Sequence, residues 1–263
     1  AKNPDIDEVI SIRTKTWRKN WNVNTVRELL RSIKEIRSKK FDVVLDLQGL
    51  VKSGAIALLS GARLKIGFHK NNCKEKINSI FTNKKAPYMG DGIHIIDMYL
   101  NLIKTSLNIQ KESKQFLLPE SQEKKIEDFF QNQPELTSKP IIGINPGAGF
   151  ESKLWELERF TQLADRITAE MGYSILLTWG PGEEQKVRQI AASMQHKSWI
   201  APATSIQESI GLYKRLKLLV SCDSGPLHIC AALGIPTVSL FGPTDPKRNG
   251  AYGLNHDTVY KVI

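Results

Sequence analysis

The sequence lacks the features that mark several broad classes of protein. Its three cysteines, Cys73, Cys222 and Cys230, are odd in number and far apart, which argues against a disulfide framework and favours a reducing compartment. No run of about 18 apolar residues predicts a transmembrane helix, and the opening residues do not read as a signal peptide. At 41% hydrophobic and 24% charged residues, the 263-residue chain is expected to be globular, with one large or two modest domains.

Several catalytic signatures are missing as well. The chain has neither the Gly-x-Gly-x-x-Gly of dinucleotide oxidoreductases nor the Gly-x-x-x-x-Gly-Lys-Ser/Thr of P-loop NTPases. No His or Cys cluster has metal-ligand spacing. The Gly-x-Ser-x-Gly elbow of serine hydrolases is absent too, and Asp223, Ser224 and His228 are too close in sequence to form a catalytic relay.

What the sequence does have is positive charge in its first half. The net charge is +10, and residues 1–139 hold 25 basic and 16 acidic side chains, whereas residues 140–263 hold 12 and 11. Most of the excess lies in residues 15–40 and 63–85. Charge of one sign over half a molecule attracts anionic partners such as acidic sugars, phosphorylated lipids, membranes or nucleic acids. A solvated basic surface that only aids solubility is the alternative.

The second half alternates strand and helix signals. Short apolar runs that end at glycine-containing loops predict strands at residues 140–145, 173–179, 218–222 and 236–241. Helical spacing of apolar residues predicts helices over residues 160–171, from 183, over 206–216 and over 226–233. Such repeated units with nearly continuous apolar strands indicate a parallel sheet covered on both faces, as in a Rossmann-like domain.

The first half is similar but less regular. We predict helices at residues 26–39, 52–59 and 93–107 and strands at 41–46 and 62–68. Residues 131–139, rich in Gln, Pro, Ser and Thr, are interpreted as a linker, which gives two domains, 1–138 and 139–263. Residues 8–12 are a strand candidate without a preceding strand and glycine loop, and the chain stops at residues 259–263 inside a predicted strand. We therefore expect a fragment cut at both ends.

The strongest binding signal lies at residues 221–228, where a predicted strand turns into a helix. Ser224 and Gly225 begin that helix, so free backbone N–H groups and the helix dipole favour an anion there. Asp223 is placed to orient a sugar hydroxyl, and His228 lies one turn into the helix. Simple helix capping by Asp223 or Ser224, and core packing of His228, remain open alternatives.

Two further loops follow strands of the same predicted sheet. Gly147 permits close approach of a ligand to the backbone, and Lys153 offers a point charge suited to phosphate. Glu183 or Glu184, just past the next strand, is placed to accept hydrogen bonds from ribose hydroxyls. A surface lysine and an ordinary acidic helix start are the alternatives. Together the loops predict a pocket for a nucleoside diphosphate.

Four motifs, in this order and spacing, resemble those of glycosyltransferase family 9, the ADP-heptose:lipopolysaccharide heptosyltransferases. They are Pro146-Gly-Ala-Gly…Ser152-Lys-Leu-Trp155, Gly180-x-x-Glu-Glu, Asp223-Ser-Gly-Pro-Leu-His228 and Phe241-Gly-Pro-Thr-Asp-Pro246. Residues 17–21 and 41–53 resemble acceptor-domain signatures of the heptosyltransferase I branch. The resemblance implies an α/β, GT-B architecture: two Rossmann-like domains facing across a cleft, the first binding acceptor and the second binding donor. Ser224 stands where the family has a threonine.

The resemblance also implies a function and residue roles. The function is inverting, metal-independent transfer of heptose from ADP-heptose to the Kdo–lipid A inner core, on the cytoplasmic face of the inner membrane, with no cofactor and no nucleic-acid partner. The catalytic aspartate of the family would lie before Ala1. The residues expected to bind donor are Gly147, Ala148, Lys153, Glu183, Glu184, Asp223, Ser224, Gly225, His228 and Thr244, and those expected to bind acceptor are Arg18, Lys19 and Lys52.

Two other functions stay open. One is a related family 9 transferase that adds the second heptose or uses another nucleotide sugar. The other is a non-catalytic module that binds anionic glycolipid or nucleic acid through the basic half. Few aromatic residues lie near the basic stretches, and single-strand nucleic-acid binders need such residues for base stacking.

Overall fold

A computed structural model describes residues 6–12, 22–109 and 116–261, and the contacts within it divide the chain into two units. We call residues 6–109 the first unit and residues 116–261 the second unit. None of the helices in these described ranges is long and apolar enough to cross a membrane.

The described residues of the first unit form a three-stranded parallel sheet in the order β1-β2-β3. Its elements are α1 (Val23–Ser38), β1 (Val43–Leu45), α2 (Val51–Leu59), β2 (Leu64–Gly67), a 3-10 helix (Lys76–Phe81), β3 (Lys84–Lys85) and α3 (Ile95–Leu107). Helix α1 begins where the Asn22 side chain accepts a hydrogen bond from the Thr25 N–H. Ile66 of the sheet packs with Met98 and Leu102 of α3 in the core.

The second unit contains a six-stranded parallel sheet in the order β6-β5-β4-β7-β8-β9. Its elements are α4 (Lys124–Gln131), α5 (Pro134–Thr137), β4 (Ile141–Asn145), a 3-10 helix (Glu151–Lys153), α6 (Leu157–Met171), β5 (Ser174–Leu177), α7 (Glu184–Ser193), β6 (Ser198–Ile200), α8 (Ile206–Tyr213), β7 (Leu218–Cys222), α9 (Gly225–Ala232), β8 (Thr237–Phe241), α10 (Pro246–Asn249) and β9 (His256–Tyr260). The predicted fold class, α/β with two Rossmann-like parallel sheets as in GT-B proteins, is confirmed.

Apolar side chains cover both faces of the larger sheet. In β4, Ile141 packs in a cluster with Leu176 and Leu219, whereas Ile142 and Ile144 pack in a second cluster. Neighbouring residues of a strand point to opposite faces, so the two clusters lie on opposite sides of the sheet. This double burial explains why the strands read as nearly continuous apolar runs.

The chain reverses direction across this sheet between β4 and β7. From β4 it moves outward to β5 and β6, and it then returns to β7 on the other side of β4 and continues to β8 and β9. In open parallel sheets of this kind, ligands bind at the carboxyl ends of the strands where the order reverses. The loops after β4 and β7 therefore mark the place to search for a site.

Residues 131–139 do not form the predicted linker. Pro134–Thr137 is helix α5, and Leu136 is fully buried in the cluster that includes Leu176 and Leu212. Because residues 131–139 are mostly polar, the sequence pattern did not reveal that Leu136 is buried. The contacts divide the chain before Phe116 rather than after residue 138, because α4 packs on α8 and α5 packs on β5 of the larger sheet.

Two smaller expectations about the ends of the chain also differ from the structure. Residues 8–12 form no strand, so the apolar alternation there was misleading. The last strand, β9, spans His256–Tyr260, so Lys261 lies outside it, and residues 262–263 lie outside the described residues.

Candidate functional site

The carboxyl ends of four neighbouring strands of the second unit carry the predicted donor-binding residues. Glu183 follows β5, Lys153 follows β4, Asp223 follows β7 and Thr244 follows β8, and these strands are adjacent in the order β5-β4-β7-β8. Because the strands are parallel, all four loops emerge at one edge of the sheet. Residues that are up to 91 positions apart in the sequence thus lie together at the carboxyl ends of the strands.

Asp223 is the centre of a polar cluster at the point where the strand order reverses. Its Oδ2 accepts a hydrogen bond from the Lys153 ammonium, with an Nζ–Oδ2 distance of 2.5 Å, and another from Thr244 Oγ1 at 2.8 Å. His228 Nε2 lies 4.0 Å from the second carboxylate oxygen, Oδ1. An ammonium has three N–H donors, so the bond to Asp223 orients Lys153 and leaves donor capacity for an anion.

The start of α9 is open toward this cluster. Ser224 is the N-cap residue, but its side chain makes no capping hydrogen bond, and its Oγ lies 2.9 Å from Ser221 Oγ instead. A Cβ built on Gly225 would meet no atom within 4 Å. The Ser224 side chain thus makes no capping hydrogen bond, and the Asp223 carboxylate is bonded to Lys153 and Thr244, so the first N–H groups of α9 remain available to an anion.

Glu183 lies against the glycine loop after β4. Its Oε2 accepts a hydrogen bond from the Gly180 N–H at 2.9 Å. A Cβ built on Gly147 would lie 2.0 Å from that oxygen, so only glycine permits the carboxylate to stand where it does. This contact brings the loops after β4 and β5 together around one carboxylate.

The remaining donor-side candidates are placed differently. Glu184 forms an ion pair with Arg188 one turn along α7, with an Nη2–Oε1 distance of 2.5 Å, and it does not join Glu183 against the loop. Ala148 packs against the core cluster on one face of the sheet. The His228 side chain is half exposed, so it is not a core residue.

In the first unit, the acceptor-side candidate Lys52 is an exposed residue in the first turn of α2. The other two acceptor-side candidates, Arg18 and Lys19, lie outside the described residues. The loop before α2 is held by Asp46, a buried carboxylate at the carboxyl end of β1. Asp46 accepts hydrogen bonds from the N–H groups of Gln48 and Gly49 and from the Ser53 hydroxyl.

Two features of these sites were not predicted from the sequence. The Phe150 ring stands in the glycine loop, 5.9 Å from the Lys153 ammonium, and is largely exposed. The Asp46 hydrogen-bond network is the second. The sequence did offer a signal for Phe150, namely an aromatic residue within a glycine loop. It offered none for the Asp46 network, because the hydrogen-bond partners of Asp46 are up to 32 residues away in the chain.

The pKa shifts near the donor-side cluster concern one buried thiol and one buried phenol. Burial raises the pKa of the Cys222 thiol, which directly precedes Asp223, and burial also raises the pKa of Tyr213 in α8. Both groups therefore stay neutral at ordinary pH. Within the described ranges, no three His, Cys, Asp or Glu side chains are grouped to hold a metal ion.

Comparison with known proteins points to one family. The sequence profile of "Glycosyltransferase family 9 (heptosyltransferase)" matches residues 29–261. Lipopolysaccharide heptosyltransferase 1 of Pseudomonas aeruginosa is 28% identical over 259 residues, which cover 96% of this chain and 69% of that protein.

Solved structures give the same result. The structure of E. coli heptosyltransferase WaaC with ADP matches with a TM-score of 0.72 and 27% identity, over 97% of this chain and 77% of that one. The structure of the same E. coli protein with ADP-2-deoxy-2-fluoro heptose matches with a TM-score of 0.71 and 27% identity, over 96% and 76%. The profile match extends over most of the chain, and the protein therefore belongs to glycosyltransferase family 9, the heptosyltransferases.

Proposed function

We propose that this glycosyltransferase moves heptose from ADP-heptose to the Kdo-bearing inner core of lipid A, with inversion and without a metal ion. The observation that carries the proposal is the polar cluster of Lys153, Asp223 and Thr244 at the open start of α9. A cation and a helix N-terminus at one point suit a diphosphate. The relatives with ADP and an ADP-heptose analogue support the same donor here.

The donor diphosphate is the leaving group of the proposed reaction. Negative charge grows on it as the bond to the sugar breaks, so donors fixed in advance lower the barrier. Lys153 provides a full positive charge, and the first N–H groups of α9 provide partial positive charge. Asp223 holds the Lys153 ammonium in place and is therefore a positioning residue for this step.

Glu183 is the group that we assign to the nucleoside. Its carboxylate stands beside the glycine loop and accepts a bond from only one described backbone donor, the Gly180 N–H. A carboxylate has about four acceptor sites, so capacity remains for ribose hydroxyls. We assign Glu183 rather than Glu184, because the Glu184 carboxylate is paired with Arg188.

The acceptor hydroxyl must lose its proton to a general base during an inverting transfer. Asp223 and Glu183 are already engaged in donor-side hydrogen bonds, and we assign neither as that base. The resemblance to the family predicts that the general base precedes Ala1, and we retain that prediction as part of the proposal.

The basic first half is assigned to the acceptor, at the cytoplasmic face of the inner membrane. The Kdo–lipid A acceptor carries carboxylates and phosphates, and residues 1–139 have the net charge of +9 that attracts it. Lys52, Arg18 and Lys19 are the residues proposed to contact it. Replacing Lys52 with Gln should raise the KM for acceptor and leave the KM for ADP-heptose unchanged, whereas an equal rise in both would contradict the assignment.

The decisive experiment is ADP binding, measured by calorimetry on Lys153→Ala. Loss of a charge-assisted hydrogen bond weakens binding by about 1.5–3 kcal/mol, or roughly 10- to 150-fold. Lys139→Ala is the matched control, because Lys139 is an exposed lysine of the same unit away from the cluster. Unchanged ADP affinity in Lys153→Ala would remove this residue from the donor site.

A transfer assay distinguishes the first-heptose reaction from the related alternatives. Kdo–lipid A should accept heptose, and the same lipid already carrying one heptose should not. Transfer only to the heptosylated lipid would replace our proposal with addition of the second heptose, and transfer from another nucleotide sugar alone would replace the donor.

A further inference from the structure

The 3-10 helix Lys76–Phe81 of the first unit presents two isoleucines to solvent. Ile77 is 63% exposed and Ile80 is 73% exposed, although isoleucine is among the residues most often buried. A 3-10 helix has three residues per turn, so side chains three positions apart eclipse each other. Ile77 and Ile80 therefore share one side of the helix, which we call the apolar face.

Another side of the same helix is fixed in the interior of the unit. Asn78 is fully buried, and its Nδ2 donates to Asp46 Oδ2 at 2.6 Å and to the Leu50 carbonyl at 2.7 Å. Phe81, three positions later, packs so closely on α2 that a Cβ built on Gly54 would lie 2.6 Å from its ring. The helix is thus anchored on one side, and the apolar face is exposed on a well-held element.

Positive charge accompanies the apolar face. Residues 63–85 contain seven Lys or Arg residues and one acidic residue, Glu75. The Glu75 carboxylate accepts a hydrogen bond from the Val51 N–H at 2.6 Å, at the start of α2. Lys74 and Lys76, on either side of Glu75, are exposed. Exposed apolar side chains beside lysines are the combination that binds an anionic membrane surface.

We propose that the apolar face, with Lys74 and Lys76, is the surface through which the protein contacts an anionic phospholipid bilayer. The two isoleucines enter the boundary between headgroups and acyl chains, and the two lysines contact lipid phosphates. A second copy of the chain fits this surface poorly, because it would bring like charges together. The choice of a bilayer rests on the proposed function, in which the acceptor is a membrane lipid.

Vesicle co-sedimentation without donor or acceptor tests the proposal. The wild-type protein should bind vesicles of phosphatidylglycerol and phosphatidylcholine and should bind vesicles of phosphatidylcholine alone far more weakly. Ile77→Ser combined with Ile80→Ser should weaken binding to the anionic vesicles at least tenfold, since the apolar contribution is lost. Ile206→Ser combined with Leu254→Ser is the matched control, because these side chains of the second unit are 68% and 87% exposed.

The charge contribution is tested separately. A lysine near an anionic membrane strengthens binding about fivefold, so Lys74→Gln combined with Lys76→Gln should weaken it by an order of magnitude or more. Lys124→Gln combined with Lys139→Gln removes two exposed lysines of the second unit and should leave binding close to that of the wild type.

Several results would overturn the proposal. They are no binding by the wild-type protein, equal binding to both kinds of vesicle, and unchanged binding of the isoleucine variant. Self-association of the wild type that the isoleucine variant abolishes, seen by sedimentation velocity, would assign the face to a second copy instead. Thermal melting and ADP titration of each variant complete the test. A protein that binds ADP but not vesicles overturns the lipid contact alone, whereas one that binds vesicles but not ADP overturns the donor assignment alone.

Discussion

Replacing Gly147 with alanine tests whether Glu183 belongs to the donor pocket. The added Cβ would lie 2.0 Å from Glu183 Oε2 and 2.2 Å from both Cδ and Oε1, much closer than real contacts allow. The carboxylate must therefore move, and its 2.9 Å hydrogen bond from the Gly180 N–H must break. We expect the fold to tolerate the change, because a glutamate side chain can rotate away from the methyl group.

The expected effect on ADP binding follows from the displaced carboxylate. Hydrogen bonds to a charged group contribute about 1.5–3 kcal/mol, so ADP affinity should fall roughly 10- to 150-fold in calorimetry. Gly149→Ala is the control, since it adds the same methyl group to the same loop with no atom within 4 Å. That variant should bind ADP like the wild type.

A double variant shows by which route the methyl group acts. If its effect passes through Glu183, Gly147→Ala combined with Glu183→Ala should bind ADP no more weakly than Glu183→Ala alone. Additive losses would mean that the methyl group blocks the nucleotide directly. Wild-type affinity in Gly147→Ala itself would refute the assignment of Glu183.

Three further predictions concern the helix start, the corrected domain boundary and the thiols. Gly225→Val should abolish ADP binding while thermal unfolding stays cooperative, since its Cβ enters open space where the phosphates approach; retained affinity would place the diphosphate elsewhere. Leu136→Ala should lower the free energy of unfolding in urea by about 2–5 kcal/mol, whereas Leu254→Ala should change it little; equal effects would contradict the burial of α5. Burial raises the pKa of all three cysteine thiols, so at pH 8 they should react with Ellman's reagent slowly when native and fast in urea, and one fast native thiol would contradict this.

The sheet of the second unit was predictable because local pattern and final structure agree there. Apolar runs followed by glycine loops predicted strands at 140–145 and 218–222, and the structure has β4 and β7 at these places. Parallel strands bring their carboxyl ends to one edge, so the clustering of the loops could also be inferred. These predictions needed only hydrophobic periodicity and turn residues.

The features that the sequence did not predict depend on single residues or on contacts between residues far apart in the chain. One leucine within a polar stretch, Leu136, turned an expected linker into a packed helix. The 3-10 helix Lys76–Phe81 is held by the hydrogen bond from Asn78 to Asp46, which is 32 residues away. No local spacing of residues predicts this helix. Short elements of this kind are stabilised by tertiary contacts rather than by propensity, and sequence patterns report mainly propensity.

The pairing of Lys153 with Asp223 lies between these two cases. Topology predicts that the loops after β4 and β7 are neighbours, but only the side-chain geometry shows that the two charges share a hydrogen bond. The pair keeps a lysine ammonium in a mostly buried place, where an unpaired charge would be costly. The pair itself carries no net charge, and residues 140–263 carry a net charge of only +1. Donor binding should therefore depend on local geometry and only weakly on salt, whereas attraction of an anionic acceptor to residues 1–139 should weaken as ionic strength rises. Equal salt dependence of the two KM values would contradict this separation of roles.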